Sequence, residues 1–244
     1  MNFLDDLVIA LNRSIQRYPD ALNYLKSRGV QTSDIERYSI GYNKVVNVPD
    51  DGTEDRQRFM DESYKGRSFE STLIFPIKDA FGKTVGIIGR GIEEKRYKKF
   101  FSEEAKFTGC FFGFFQALPS IYETGTVFIT EGSFDCIPLA GILPNTVGAL
   151  TAGLSEEQYN LISFYCDKIV TVFDWDKEGQ RQTWEAIKKW GAYLPRGESP
   201  KTQARVFSCR IGKFKDPSSY LSEYSLEEFH KFVKKELGPK ISSF

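Results

Sequence analysis

The run Lys168-Ile169-Val170-Thr171-Val172-Phe173-Asp174-Trp175-Asp176-Lys177-Glu178-Gly179 decides the fold. Its first half is apolar and β-branched and holds no turn former, the pattern of a strand buried on both faces of a parallel sheet. That strand delivers Asp174 and Asp176 to its own carboxyl end, and Lys177 to Trp190 reads as the helix that follows. In open α/β sheets, sites form outside the carboxyl ends of strands. A second acidic corner stands 43 residues before Asp174, where Thr126-Val127-Phe128-Ile129-Thr130 runs into Glu131-Gly132 and a helix from Ser133. Carboxylate oxygens suit a hard cation such as Mg2+, so two strand ends are expected to converge on one metal. Asp176 alone would read as an N-cap satisfying helix amides. A second Asp two residues earlier and a Glu-Gly at the equivalent junction are not explained by capping.

Outward from this centre the pattern is regular. A strand at 126–130, a helix from Ser133, a strand over Asn145–Leu150, a helix opened by Ser155-Glu156-Glu157-Gln158, the strand at 168–173, the helix at 177–190 and a strand over Ala204–Ser208 follow one another. Such alternation predicts a mostly parallel sheet flanked by helices with right-handed crossovers. Ser225-Leu226-Glu227-Glu228 has capping-box form and starts a last helix to about Leu237.

The amino-terminal part is different. Phe3, Leu4, Leu7, Val8 and Leu11 lie on one helical stripe, Pro19 breaks it, and Leu22 and Leu25 continue a second helix before Gly29. Ser33-Asp34-Ile35-Glu36 has capping-box form and predicts a short helix ending before Gly41. Residues 43–70 are polar, with a turn at Asp50-Asp51-Gly52, and read as a mobile loop. Thr72–Asp79 and Thr84–Arg90 read as a hairpin. From Lys83 to Lys106 seven basic residues face four acidic ones, with Tyr97, Phe100, Phe101 and Phe107 among them. A groove that holds backbone phosphates and stacks bases has that composition; so does a solvated loop whose aromatics turn into the core.

Bulk numbers exclude more than they identify. The 244 residues suffice for a real core, and 41% hydrophobic with 15% aromatic residues is typical of a globular chain. The 33 basic and 33 acidic residues cancel, so overall charge names no partner. Cys110, Cys136, Cys166 and Cys209 are 26, 30 and 43 positions apart with one histidine, His230, which excludes a structural zinc site in this chain. His230, in a lysine-rich helix, is expected to be exposed. No basic leader and no apolar run near the ~20 residues of a membrane span is present, so a cytoplasmic location without membrane contact is the default. Gly82-Lys83-Thr84 lacks the first glycine of a Walker A loop, Gly86-x-x-Gly89-x-Gly91 has the dinucleotide-binding glycines out of order, and Ser133 does not occupy a nucleophile elbow.

Glu131-Gly132 at a strand-to-helix turn, followed by Asp174-x-Asp176-x-x-Gly179, resembles the TOPRIM domain of DnaG-type primases, topoisomerases and some nucleases. Glu131-Gly132-Ser133-Phe134-Asp135 is similar to the primase "EGYMD" segment, and Gly148-Ala149-Leu150-Thr151-Ala152-Gly153-Leu154-Ser155-Glu156-Glu157 to its "SLGTALTEE" segment. Upstream, Tyr24–Val30, Ile40-Gly41-Tyr42, Phe75-Pro76-Ile77-Lys78-Asp79 and Gly82–Arg90 resemble the amino-terminal half of the same catalytic core, so the resemblance spans roughly residues 20–237. It implies an α/β fold with three parts: a mixed α+β basic subdomain over 1–120, a TOPRIM domain over 121–212 and a helical tail over 213–244. It leaves no room for a zinc-binding or helicase-interaction domain.

The implied activity is a DNA-directed RNA polymerase of the primase type, making RNA primers on single-stranded DNA from ribonucleoside triphosphates. The catalytic and metal residues implied are Glu131, Asp174 and Asp176, with Asp135 and Asp216 in the same acidic cluster and Mg2+ or Mn2+ as the ion. Gly132 and Gly179 would allow close backbone approach. Arg90, Lys98, Lys99 and Lys106 are the expected phosphate contacts, a strand-end arginine and lysines facing the acidic site. Partners implied are a replicative helicase and a separate zinc-binding protein. Ser218 in Lys215-Asp216-Pro217-Ser218 stands where the family has a further Asp, and Thr108 where it has a lysine. These departures motivate a non-catalytic nucleic-acid-binding module as one alternative. A TOPRIM nuclease, with water replacing the 3′-hydroxyl, is another, and a small-molecule Mg2+ enzyme on a doubly wound sheet is the third.

Overall fold

Asn2 opens the first helix, its side-chain oxygen accepting the Asp5 N–H at 2.8 Å. The computed structural model describes residues 2–44, 52–62, 69–94, 96–190, 205–208, 214–221 and 223–241. Helices α1 (Phe3–Ser14) and α2 (Pro19–Ser27) meet the expected break, with Pro19 at the first turn of α2, where its missing N–H costs nothing. In α3 (Thr32–Arg37) the Asp34 carboxylate accepts the Gln31 N–H at 2.8 Å. The cap therefore sits two residues before the expected Ser33, because Asp34 occupies the third helical position from which it can reach back.

The stretch expected as a mobile loop is partly ordered structure. Strand β1 (Gly41–Asn43) begins it, and α4 (Glu54–Glu62) lies within it; residues 45–51 and 63–68 are outside the described residues. Helix α4 is polar except for Phe59 and Met60, and Phe59 is only 1% exposed. Its ring lies 5.2 Å from both Phe69 and Phe100 and 5.7 Å from Phe3. A single aromatic in a charged segment gives little periodic signal, yet burying one ring is worth about 2 kcal/mol or more, enough to fix a short helix.

The expected hairpin, β2 (Thr72–Lys78) and β3 (Thr84–Gly91), is the centre of an antiparallel sheet in the order β1-β2-β3-β4. Its edge is β4 (Tyr97–Phe101), so the cationic-aromatic segment is a strand there and not a loop. Phe100, Ile74, Ile87 and the α1 stripe share one core with Phe59 and Phe69. The chain divides into two compact units, and this first unit is Met1–Phe107.

The second unit, Thr108–Phe244, carries the parallel sheet. Its elements are α5 (Phe114–Thr124), β5 (Thr126–Thr130), α6 (Ser133–Ala140), β6 (Thr146–Gly148), α7 (Glu156–Ile162), β7 (Lys168–Val172), α8 (Lys177–Trp190), β8 (Arg205–Ser208), α9 (Pro217–Leu221) and α10 (Leu226–Ile241). The strand order is β6-β5-β7-β8, every pair parallel, with an antiparallel bridge from Phe112 to Gly148 at the edge. Phe128, Val170 and Val172 pack with Leu139 of α6, Tyr220 of α9 and Phe229 and Val233 of α10. Val127, Ile129 and Ile169 are fully buried, as period two on a sheet covered on both faces requires.

Strand β6 is shorter than the expected 145–150, because Leu150 turns into the left-handed region (φ +63°) while its N–H bonds Glu131 O at 2.9 Å. The Ser155 box forms as expected, with Gln158 N–H on Ser155 Oγ at 3.0 Å. Ala204, the expected first residue of the last strand, and Cys209 lie outside the described residues. The last helix runs to Ile241, past the expected Leu237. His230 is half-buried, its ring close to Gly141 at the end of α6, since α10 packs across that helix. Among the described residues, no helix is long and apolar enough to cross a membrane.

Candidate active site

Register brings the two acidic corners together. Thr130 pairs with Val172 in parallel, so both strands end at the same level and Glu131 stands beside Phe173-Asp174. The Asp174 N–H donates to Glu131 Oε1 at 3.1 Å, a direct link between the corners. Beyond Asp174 the chain turns into α8. There Asp176 Oδ1 accepts the N–H groups of Glu178 and Gly179 at 3.0 and 2.9 Å, so the capping reading is correct for that oxygen.

The other oxygen does something else. Asp174 Oδ2 and Asp176 Oδ2 lie 2.9 and 3.0 Å from one ammonium, Lys215 Nζ. Lys215 is held by its backbone, because its carbonyl accepts the Trp175 N–H at 2.7 Å, which lays residue 215 alongside the Asp-Trp-Asp turn. In the sequence Lys215 stands out only as the neighbour of Asp216. Its role depends on a return of the chain 39 residues after Asp176, and the one available signal is electrostatic: two carboxylates at one turn need a cation nearby.

Asp216 adds its charge to Asp174, and Asp135 lies in the first turn of α6. Asp216 caps α9, accepting the Ser219 N–H, while Asp135 Oδ1 accepts the Ser218 N–H at 3.2 Å. Ser218 is thus in contact with Asp135 through its backbone. Gly179 is sterically required: a Cβ there would lie 2.0 Å from the Asp174 carbonyl oxygen and 3.0 Å from Glu131 Oε1. Gly132 is not, since the nearest atom to a Cβ would be Asp135 Oδ2 at 3.6 Å.

Burial, more than the crowding of carboxylates, sets the protonation of Glu131 and Asp174. Burial, then the Asp174 charge, pushes Glu131 up to about 7. Asp174 is also raised by burial, against the pull of Lys215. Asp176 moves the other way because the Gly179 N–H and Lys215 favour its charge and it is nearly solvated. The two partners of one lysine differ in sign because only Asp174 is substantially desolvated.

The donor set fits a hard divalent ion. Two Oδ2 atoms already share one cation, and a third carboxylate stands in the same field. Among the described residues, no three His, Cys, Asp or Glu side chains form a ready-made cage, and the Lys215 ammonium occupies the space between Asp174 and Asp176.

The basic residues all belong to the first unit. Arg90 is buried, 6% exposed, with its guanidinium 4.5 Å from the Tyr97 ring centroid and Nη2 3.5 Å from Tyr24 Oη. Lys99 Nζ lies 3.7 Å from the Phe107 centroid, and partial burial lowers its pKa. Lys98 is half-buried on β4 and Lys106 exposed. Thr108, in the second unit, accepts the Ser155 hydroxyl through its carbonyl.

Residues 10–108 match the family described as DNA primase catalytic core, N-terminal domain, and residues 128–221 the family described as Toprim-like. The DNA primase of Haemophilus influenzae is 26% identical over 243 residues, covering 92% of this chain and 39% of the relative. That of Thermotoga maritima is 30% identical over 193 residues, covering 72% and 34%. The chain spans less than half the length of these relatives. Among solved structures, the Aquifex aeolicus primase (zinc-binding and RNA polymerase domains) superposes with a TM-score of 0.73 at 22% identity, covering 95% of this chain and 59% of that one. A DnaG catalytic core gives 0.76 at 20%, covering 98% and 83%, and a DnaG primase catalytic domain bound to ssDNA gives 0.72 at 19%, covering 96% and 79%. At such identities the structural likeness speaks for the fold, and the sequence matches, one on each unit, speak for descent: the chain belongs to the DnaG-type primase catalytic-core family, with a TOPRIM domain as its second unit.

Proposed function

We propose that this chain is a DNA primase catalytic core, joining ribonucleotides into short RNA primers on a single-stranded DNA template by metal-dependent nucleotidyl transfer. The observation that carries the reading is the pair of Oδ2 atoms of Asp174 and Asp176 converging on one cation beside Glu131, at the ends of adjacent parallel strands.

Asp174 and Asp176, with Glu131, would hold Mg2+ or Mn2+, and Asp135 and Asp216 would shape the charge around them. The bound ion supplies Lewis acidity and a template for in-line displacement at the α-phosphate. Glu131, half-buried beside Asp174, would take the proton from an attacking 3′-hydroxyl. Its Oε1 is oriented by the Asp174 N–H, so the carboxyl is fixed before substrate arrives. Gly179 keeps the start of α8 close enough for Asp176 to be both cap and ligand. Arg90, Lys98, Lys99 and Lys106 contact template or nucleotide phosphates; Tyr97 and Phe107, already against Arg90 and Lys99, are aromatic faces of the kind on which bases stack.

A replicative helicase and a separate zinc-binding protein are the expected partners, and the cytoplasm the place of action. The test is incubation of the chain with single-stranded DNA, labelled ribonucleotides and Mg2+ or Mn2+. Short labelled RNA is the expected product. Shortened template without RNA would replace this reading with hydrolysis by the same carboxylates.

A further inference from the structure

We propose that Lys215 is a resident counter-cation, holding Asp174 and Asp176 in ligating geometry before the divalent ion arrives and displaced by that ion when it binds. The inference rests on the assignment of those two aspartates as metal ligands.

Three observations carry it. The contact is double and near-symmetric, 2.9 Å to Asp174 and 3.0 Å to Asp176, and both bonds end on Oδ2, in Asp176 the atom left over after Oδ1 has capped α8. The lysine is delivered by its own backbone bond to Trp175, the residue between the two aspartates, which keeps its Cα beside the turn whether or not the ammonium is engaged. Its side chain is 49% exposed, against 19% for Asp174 and 45% for Asp176. A half-exposed ammonium on a flexible four-carbon stem can swing into solvent without a change of backbone. A buried arginine fork could not.

The physical consequence is a competition. Without a cation the clustered carboxylates repel one another and spread or take up protons. With Lys215 between them they stay together, but a divalent ion must displace that ammonium, which weakens its apparent affinity. Lys215 is therefore a positioning residue that trades metal affinity for a preformed site.

The test is calorimetric titration of Mn2+ into the full chain, with Lys215→Met, Lys215→Arg, Lys177→Met and Asp174→Asn variants. Lys177 is the exposed lysine directly after Asp176 and controls for the mere loss of a nearby charge. Lys215→Met is expected to bind Mn2+ roughly tenfold more tightly, Lys215→Arg within threefold of the wild type, and Lys177→Met within twofold. In chelator, Lys215→Met is expected to melt below the wild type and to regain the difference on addition of Mn2+. Equal affinity in Lys215→Met, or an equal gain in Lys177→Met, overturns the inference while leaving the ligand assignment standing. Unchanged Mn2+ binding in Asp174→Asn overturns the ligand assignment and the inference with it.

Discussion

Glu131 is the carboxyl group whose protonation the fold alters most. Its folded pKa of about 7 lies above the ordinary 4.5, so the folded chain holds the proton more tightly than the unfolded chain does. The stability this provides is complete below pH 4.5 and is lost as pH rises through 7. Glu131→Gln mimics the protonated form. In chelator it should match the wild type near pH 5 and exceed it at pH 8 by about 1–2 kcal/mol, a figure reduced for the solvent that reaches a half-buried group. Urea unfolding at the two pH values checks this. The same variant should slow primer synthesis across the pH range, since an amide cannot take the proton. Glu131, Asp174 and Asp176 were readable in the sequence because each follows an apolar strand, and strand ends in a parallel sheet converge. Lys215 was not, because nothing local to it forms a pattern.

Turns and helix starts explain why two glycines that look alike in sequence are unlike in space. Gly179→Ala would drive a methyl to 2.0 Å from a backbone carbonyl that cannot move without α8. We expect a loss of about 2–3 kcal/mol or more and of metal binding. Gly132→Ala meets only ordinary contact and should stay within about 0.5 kcal/mol. Thermal melts with and without Mn2+ separate the two. In the first unit, Phe59 is the test of an element the sequence concealed: Phe59→Ala should cost about 3–5 kcal/mol, because its ring is enclosed by Phe3, Phe69 and Phe100. The helices and strands that repeat an apolar period, α1, β5, β7 and α8, were legible. Helix α4 was not, because one buried ring among charges leaves no period, and β4 was not, because an edge strand pairs on one side only and keeps the polar composition of a loop.

At the scale of the whole molecule, Lys98 and Lys99 lie in the first unit and the acidic strand ends in the second. If Lys98 and Lys99 bind template phosphates, replacing both by Ala should lower the slope of log affinity for single-stranded DNA against log salt by about 1.4, near 0.7 for each phosphate that is no longer neutralised. Binding measured by anisotropy at several salt concentrations reads that slope, and an unchanged slope would remove both lysines from the interface. The most direct measurement compares the wild type with the Asp174→Asn/Asp176→Asn double variant in primer synthesis, alongside their affinities for single-stranded DNA. The double variant is expected to bind template as the wild type does and to make RNA at least about a hundredfold more slowly, the cost of removing electrostatic stabilisation at the reacting phosphate. Undiminished RNA synthesis by the folded double variant would contradict the assignment of chemistry to these strand ends.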